Sequence, residues 1–327
     1  MKRCMSICLL SILFLVSLSG LSFSCDYCLL SQGLSPLQTT TGIGLRIDER
    51  YTVLNDMYKG TKKVENPGNK ETHLTTQVTG FYAINPDLTA FVVVPYVRRT
   101  MKEWDDVSMT FMKGKASGLG DIVLMGRYTF YRRHELDSTT IVAGQAGVKL
   151  PTGATNAKDD MGMYMDAHMQ PGTGSTDILL GLNLSHAIDR FTIAANLLYS
   201  MNNEGKKGET GMDTGDEKHQ FGNMLSYDLT GIYRIYPATP PGPTVSFALG
   251  VAGERRGKEK IDGVTVDGSE GHTIYLNTGL LFIPHPQWIV ELNYRPAIYH
   301  DLPADPTTGE AQMGEDYKAI LSVSHLF

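Results

Sequence analysis

Residues 175–201 read STDILLGLNLSHAIDRFTIAANLLYSM, and this stretch decides the fold class of the chain. From Ile178 to Leu184 every second residue is Ile or Leu, and most residues between them are polar or small. A similar alternation resumes after Ile188-Asp189, and it gives each half one apolar face, because successive side chains of a β-strand point to opposite faces. Each half has about ten residues, as a tilted strand needs to cross an outer membrane, so the stretch predicts a membrane-spanning hairpin.

The same alternation recurs along the chain and predicts an all-β protein, a transmembrane antiparallel up-and-down β-barrel of about twelve strands. Strands of about a dozen residues exceed the five or six that are usual in a soluble propeller or sandwich. Short turns alternate with long polar segments near 55–70, 102–119, 151–173, 202–217, 257–270 and 301–313, which places both chain ends on the periplasmic side. The predicted strands lie near 42–54, 71–84, 88–101, 120–133, 139–150, 174–187, 190–201, 218–236, 244–256, 271–283, 288–300 and 314–327.

The N-terminal sequence predicts export. Met1-Lys2-Arg3 is positively charged, residues 7–16 are apolar, and Ser22 and Ser24 supply the small residues of a signal-peptidase site. The expected organisation is a signal peptide at 1–24, a periplasmic or lumenal segment at 25–41 and an outer-membrane barrel at 42–327. The predicted location is therefore the outer membrane of a Gram-negative bacterium.

Cys25 and Cys28 form a C-x-x-C motif at the start of the processed chain. Export places them in an oxidising compartment, which favours a structural disulfide. A lipidated Cys25, a redox function or a metal contact are the alternatives. No His follows Cys28, so the motif does not indicate haem attachment, and no cofactor is expected.

Charge and the last residue indicate the expected partners. A net charge of −6 gives no basic surface for nucleic acid. Phe327 ends the last predicted strand, and a terminal aromatic residue resembles the signal that the barrel-assembly machinery reads. We therefore expect contacts with outer-membrane lipid, with that machinery through Phe327 and with a small-molecule solute, and we leave a periplasmic protein partner open.

Three glycine-rich stretches lie in the middle of the chain: GLGD at 118–121, GVKLPTG at 147–153 and QPGTGSTD at 170–177. In these stretches the chain resembles the outer-membrane proteins of the meta-pathway of phenol degradation. The resemblance implies a barrel loosely called a transporter, sometimes encoded with the breakdown of aromatic compounds, and it implies no catalytic residues. Taken by themselves, the stretches predict turns, since Gly allows positive φ and Pro151 ends strand pairing.

The alternation also predicts which polar side chains point into the lumen. A barrel of this size is narrow, so these side chains should pair across it and either fill it or set its selectivity. Glu49 falls on the predicted lipid face, which would require a shifted register. The lumen candidates are Arg46, Asp48, Arg50, Gln77, Arg127, Gln145, Lys149, Asp177, Asn183, Asp228, Glu291, Asn293, Arg295 and Lys318.

One long segment concentrates methionines around a histidine, with Met161, Met163, Met165, His168 and Met169 close together. Thioether and imidazole ligands suit Cu(I), so these residues are a candidate metal site. Packing against apolar lumen walls is the simpler interpretation, because methionine side chains fill irregular gaps. The same surface could line the path of an apolar solute.

The sequence as a whole predicts a channel or transporter for small solutes, with aromatic or weakly polar compounds expected first, and not an enzyme. The alternatives are a structural or adaptor barrel that holds a periplasmic or electron-transfer partner, a copper-type metal-ion channel, and a barrel hydrolase. None of the nine histidines has serine two residues later, so the His-x-Ser signature of the outer-membrane phospholipases is absent.

Overall fold

The computed structural model describes residues 42–105, 109–159, 162, 164–208, 216–237 and 242–327. The predicted signal peptide, the segment at 25–41 with Cys25 and Cys28, and also Met161 and Met163, lie outside the described residues. In the part of the chain that is described, no helix is both long and apolar enough to cross a membrane.

Within the described residues, twelve long strands form the barrel. They are β1 (Gly42–Lys59), β2 (Lys70–Ala83), β3 (Leu88–Asp105), β4 (Ile122–His134), β5 (Ser138–Leu150), β6 (Asp177–Ile188), β7 (Phe191–Met201), β8 (Met224–Tyr236), β9 (Thr244–Arg256), β10 (Gly271–His285), β11 (Trp288–Asp301) and β12 (Gln312–Leu326). A short 3-10 helix, Ala167–Met169, lies in the segment between β5 and β6.

Each barrel strand pairs antiparallel with the next, and the sheet closes where β12 pairs with β1. This closing register runs from Gly44 opposite Leu326 to Tyr58 opposite Gln312. A closed sheet has no free edge, which a membrane barrel requires because lipid offers no hydrogen-bond partner to backbone groups. The predicted fold class is confirmed.

The two faces of the barrel wall differ as the alternation predicts. In β6, Leu180 and Leu182 are 45% and 52% exposed on the outside, whereas Leu179 is only 5% exposed and points inward. Large apolar side chains cover the outer face along the other strands as well, and most buried inward positions are polar. An apolar exterior around a polar interior is the architecture of a bacterial outer-membrane barrel.

Glu49 lies on the outer face without the shifted register that its sequence position would require. It stands opposite Leu321 of β12 and Thr76 of β2, in regular ladders on both sides. Its carboxylate accepts a hydrogen bond from Thr76 Oγ1 over 2.6 Å. The expectation of a register shift is therefore wrong, because a cross-strand hydroxyl satisfies the carboxylate in place.

The predicted strand at 218–236 is two strands in the structure. Asp216–Gln220 pairs with Glu204–Gly208 and with Glu259–Ile261, while β8 starts only at Met224. The break falls at Gly222, where a Cβ atom would lie 1.8 Å from the Gly257 carbonyl oxygen, so two backbones meet there. The strands Glu204–Gly208, Asp216–Gln220, Glu259–Ile261 and Val264–Val266 form a four-stranded sheet, which we call the loop sheet.

Two further short strands lie in segments that the sequence predicted as loops. Lys62–Val64 pairs with the end of β1, and Thr110–Leu119 pairs with the end of β3. Neither sequence shows a regular alternation with one apolar face, because both ribbons extend beyond the part of the wall that lipid covers. A search for apolar alternation therefore identifies the strands that face lipid and misses the strands that extend beyond the lipid into the loops.

Candidate functional site

The predicted lumen residues all point to the inside of the barrel. They are buried, except for Asn183 and Asn293, which are half-buried. The structure therefore places these polar side chains in the lumen, and their contribution to selectivity stays a prediction.

One side of the lumen, formed by β1, β11 and β12, carries a chain of ion pairs that we call the charged wall. Arg46 Nε lies 2.7 Å from Asp48 Oδ1, and Arg46 Nη2 lies 2.9 Å from Glu291 Oε2. Ser322 Oγ donates a further hydrogen bond to Asp48 over 2.6 Å. Buried charges need such partners, since removing an ion from water costs several kcal/mol.

The charged wall continues toward the long loops at Lys318. Its Nζ lies 2.6 Å from Glu254 Oε1 and 2.9 Å from Glu315 Oε2, and the Tyr275 hydroxyl donates to Glu315 over 2.6 Å. The sequence predicted Lys318 but missed Glu315, which stands three residues earlier and has the wrong parity for the same face. A bulge in β12, where Leu54 pairs with Glu315 after Val53 pairs with Tyr317, turns it inward.

Amide and hydroxyl side chains connect the charged wall with the rest of the lumen. Arg295 Nε donates to Asn277 Oδ1 over 2.9 Å, and Asn277 Nδ2 donates to Thr230 Oγ1 over 2.8 Å. Between β7 and β8, Asn196 Nδ2 donates to Asp228 Oδ1 over 3.1 Å. These bonds hold the inward side chains in defined positions and narrow the lumen.

The other side of the lumen carries an apolar surface, the apolar wall, made of Val93, Val123, Leu179 and Leu198 from β3, β4, β6 and β7. Each of these side chains is at most 6% exposed. One small cavity lies near Tyr275, and another lies at the apolar wall. The remaining residues that line the cavity at the apolar wall are Lys149, Ser200, Met224 and Ser226.

The three glycine-rich stretches meet at the end of the barrel that carries the long segments. Asp121 Oδ1 accepts a hydrogen bond from the Gly153 N–H over 2.9 Å, and Oδ2 accepts from the N–H and the hydroxyl of Thr173 over 2.8 and 2.6 Å. A Cβ atom on Gly172 would lie 2.4 Å from the Gly153 carbonyl oxygen, so only glycine allows this approach. We call Asp121, Gly153, Gly172 and Thr173 the motif cluster.

A buried cation completes the surroundings of the motif cluster. Lys149 forms an ion pair with Asp177, and its Nζ lies 3.9 Å from Asp121 Oδ2. All three side chains are buried. The cluster therefore joins one long loop to the ends of β4, β5 and β6, and its chemistry is that of a structural anchor.

The methionine-rich segment divides between packing and a polar contact. Met165 and Met169 are buried against Ala116, with Met101 packed beside them. His168 instead turns to His219 and Glu259, two residues of the loop sheet that the sequence did not single out. Burial lowers the pKa of His168. The packing favours the interpretation of Met165 and Met169 as core residues. The contact of His168 with His219 and Glu259 could not be predicted, because no spacing in the sequence connects three separate loops.

A family model with the description "Putative MetA-pathway of phenol degradation" matches residues 50–299 of the chain, which includes the motif cluster. The chain belongs to this family. The resemblance expected from the three stretches is thus confirmed, although none of the curated proteins matches the chain.

Several solved structures are similar to the barrel. The COG4313 outer membrane channel from Pseudomonas putida F1 has a TM-score of 0.66 at 16% identity, and the match covers 88% of this chain and 96% of that chain. The transport unit of the autotransporter AIDA-I from Escherichia coli has a TM-score of 0.46 at 10% identity, covering 91% and 94%. The P. putida toluene transporter TodX has a TM-score of 0.39 at 9% identity, covering 88% and 90%. The first likeness shows the fold.

Proposed function

We propose that the protein is a passive outer-membrane channel for small solutes and that aromatic or weakly polar compounds pass through its lumen. The observation that carries the proposal is the apolar wall, which lies across the same closed barrel from the charged wall. A purely aqueous channel for ions has no need of apolar side chains at this position. A phenol-like molecule that passes between these side chains would contact Leu179 and Leu198 with its ring and Ser200 with its hydroxyl, since Ser200 lines the same cavity.

The comparisons support the same assignment. The similar P. putida barrel is an outer membrane channel by its name, and the family description refers to phenol degradation.

Single-channel conductance of the purified, refolded protein in planar bilayers tests the proposal. We expect discrete conductance, and larger conductance after deletion of residues 25–41 if that segment narrows the lumen. Liposomes that contain the barrel should take up phenol faster than protein-free liposomes of the same lipid, and this ratio of rates should exceed the corresponding ratio for a small sugar. If neither folded form conducts ions in bilayers and neither takes up solute in liposomes, the channel proposal is contradicted and the adaptor alternative is favoured.

Substitution in the apolar wall separates solute recognition from simple pore size. Leu198→Ser should lower the ratio of phenol uptake to ion conductance several-fold. The substitution removes an apolar contact for the solute, which lowers phenol uptake, and it widens the lumen, which raises ion conductance. Thr230→Ser is the matched control, since Thr230 also points inward and loses only a methyl group. Equal phenol uptake by both variants and the unsubstituted barrel would show that the apolar wall does not contact the solute.

The proposal includes no catalysed reaction. Hydrolysis of phospholipids and of simple esters by the folded barrel, compared with a heat-denatured sample, tests this part. Turnover that needs the folded state would reassign the protein to the barrel hydrolases.

A further inference from the structure

Three buried side chains from three separate long segments meet at one point. His168 lies in the 3-10 helix, and His219 and Glu259 lie in neighbouring strands of the loop sheet. His168 Nε2 lies 3.1 Å from Glu259 Oε1, and His219 Nε2 lies 3.0 Å from Glu259 Oε2. One nitrogen or oxygen atom from each residue lies within 4.8 Å of the other two, and each residue is at most 2% exposed.

The rings of the two histidines are held by a shared aromatic neighbour. Phe221 packs against His168 at a centroid distance of 4.9 Å and against His219 at 4.7 Å. Phe221 itself is buried. Such packing restricts both imidazole rings to the orientation that points Nε2 at Glu259.

The backbone of each loop is held as well. Arg99 of β3 donates hydrogen bonds to the carbonyls of His168 and Gln170, which fixes the turn that carries His168. The Glu259 N–H donates to Ser269 Oγ over 2.9 Å. Outer contacts of this kind orient the ligands of a metal site.

Two imidazoles and one carboxylate are a donor set that suits Zn²⁺. With bonds of about 2.0–2.2 Å, the ligand atoms of a tetrahedral zinc lie roughly 3.3 Å apart. The distances of 3.0 and 3.1 Å from the two histidines to Glu259 differ little from this value. The ligand atoms of the two histidines lie within 4.8 Å of each other, so zinc would hold them at or below the distance that they now have. Mg²⁺ and Ca²⁺ prefer oxygen ligands, and Cu(I) prefers sulfur.

We propose that His168, His219 and Glu259 bind one Zn²⁺ ion, which joins the loop sheet to the segment between β5 and β6. Each neutral imidazole binds through Nε2 with its proton on Nδ1, and Glu259 supplies the negative charge. The ion takes the place of the hydrogen bonds that now connect the three side chains. This site does not depend on the channel proposal, since it lies in the loops and is tested by binding alone.

Zinc binding is measured on the refolded full barrel after treatment with a chelator, by calorimetric titration with ZnCl₂. The background carries Cys25→Ser and Cys28→Ser, because a C-x-x-C motif can also bind zinc. We expect about one ion per chain, and tetrahedral Co²⁺ should give the intense visible absorption of a site with nitrogen and oxygen ligands. Zinc should also slow trypsin cleavage after Lys158, which is exposed in the same loop as His168.

The variants Glu259→Gln and His219→Gln should each reduce zinc affinity at least tenfold and abolish the protection of Lys158. His186→Gln is the matched control, because His186 hydrogen-bonds Thr140 in the barrel wall, away from the loops. The electrophoretic shift of the unheated barrel shows that each variant is folded. The proposal would be overturned if the barrel with only Cys25→Ser and Cys28→Ser bound no zinc, or if Glu259→Gln and His186→Gln in that background bound zinc equally well.

Discussion

At the scale of single residues, Asp121 explains what the three glycine-rich stretches do together in this chain. Its carboxylate accepts hydrogen bonds from Gly153 and Thr173, while Gly172 allows the backbones to touch. The turn chemistry expected of these stretches is therefore only part of their function. The glycines provide space and Asp121 provides the connection between loops.

Asp121→Asn should weaken this connection. The amide offers one acceptor oxygen, and its NH₂ group faces donors, so we expect a loss of about 2 kcal/mol in the free energy of unfolding. Urea unfolding from lipid vesicles measures the loss. Asp189→Asn is the control, because Asp189 is exposed in a short turn at a φ of 48°, which Asn adopts equally well. Equal stability of the two variants would show that the motif cluster is not an anchor.

Glu103, at the loop end of the barrel, makes the stability of the folded protein depend on pH. It lies near the end of the 18-residue strand β3, beyond the about ten residues that cross the membrane. Burial first, and then the charges of Glu71 and Asp166, raise the pKa of Glu103 from 4.5 to about 7. The folded state thus holds this proton more tightly than the unfolded state, so the stabilisation is complete below pH 4.5 and is lost as the pH rises to about 7.

Glu103→Gln should remove this dependence, since the amide does not ionise. Above neutral pH the variant should be more stable than the unsubstituted barrel by on the order of 1–2 kcal/mol, which allows for partial solvation of the group. Urea unfolding at a series of pH values provides the measurement, with Glu65→Gln as the control, since Glu65 is an exposed acidic residue of another long segment. Parallel pH profiles of Glu103→Gln and the unsubstituted barrel would contradict the raised pKa.

At the scale of elements, each strand is stabilised by two different surroundings. In β6 the outward leucines face lipid, and the inward positions form hydrogen bonds and ion pairs, as Asp177 does with Lys149. Exposure alone does not show whether an outward residue faces lipid or water. Leu182 and Val264 are both exposed, at 52% and 70%. Only Leu182 stands on a membrane-spanning strand.

Leu182→Arg should therefore cost about 2–4 kcal/mol of folding free energy in lipid vesicles, because a charge on the lipid face is poorly solvated. Val264→Arg in the loop sheet should cost almost nothing, since that position faces water. Folding titrations in urea with vesicles compare the two. A similar cost for both, or none for Leu182→Arg, would place β6 outside the membrane.

At the scale of the whole molecule, the barrel depends on the junction between its first and last strands. The ladder between β1 and β12 ends with the Phe327 N–H, which donates to the Ile43 carbonyl over 3.0 Å, and the Phe327 ring packs against His325 at a centroid distance of 4.6 Å. The aromatic side chain is 69% exposed. Recognition of this residue by the barrel-assembly machinery stays a prediction.

Deletion of Phe327 should lower the amount of folded barrel in the outer membrane of cells but leave refolding into detergent nearly unchanged. The physical reason is that the residue adds one hydrogen bond to a long ladder, whereas a recognition signal acts before the barrel closes. Phe327→Trp, which keeps an aromatic end, should restore assembly. Equal loss in cells and in detergent would assign Phe327 a role in stability alone.

The sequence by itself determined the twelve membrane-spanning strands, most of their faces and the family, because a period of two is a local property of each segment and lipid selects it strongly. It could not reveal Glu315 on the charged wall, since a bulge reverses the face locally. Nor could it connect His168 with His219 and Glu259, because the loops have no periodicity that places one relative to another. Closure of the barrel decided those contacts by bringing the long segments together at one end.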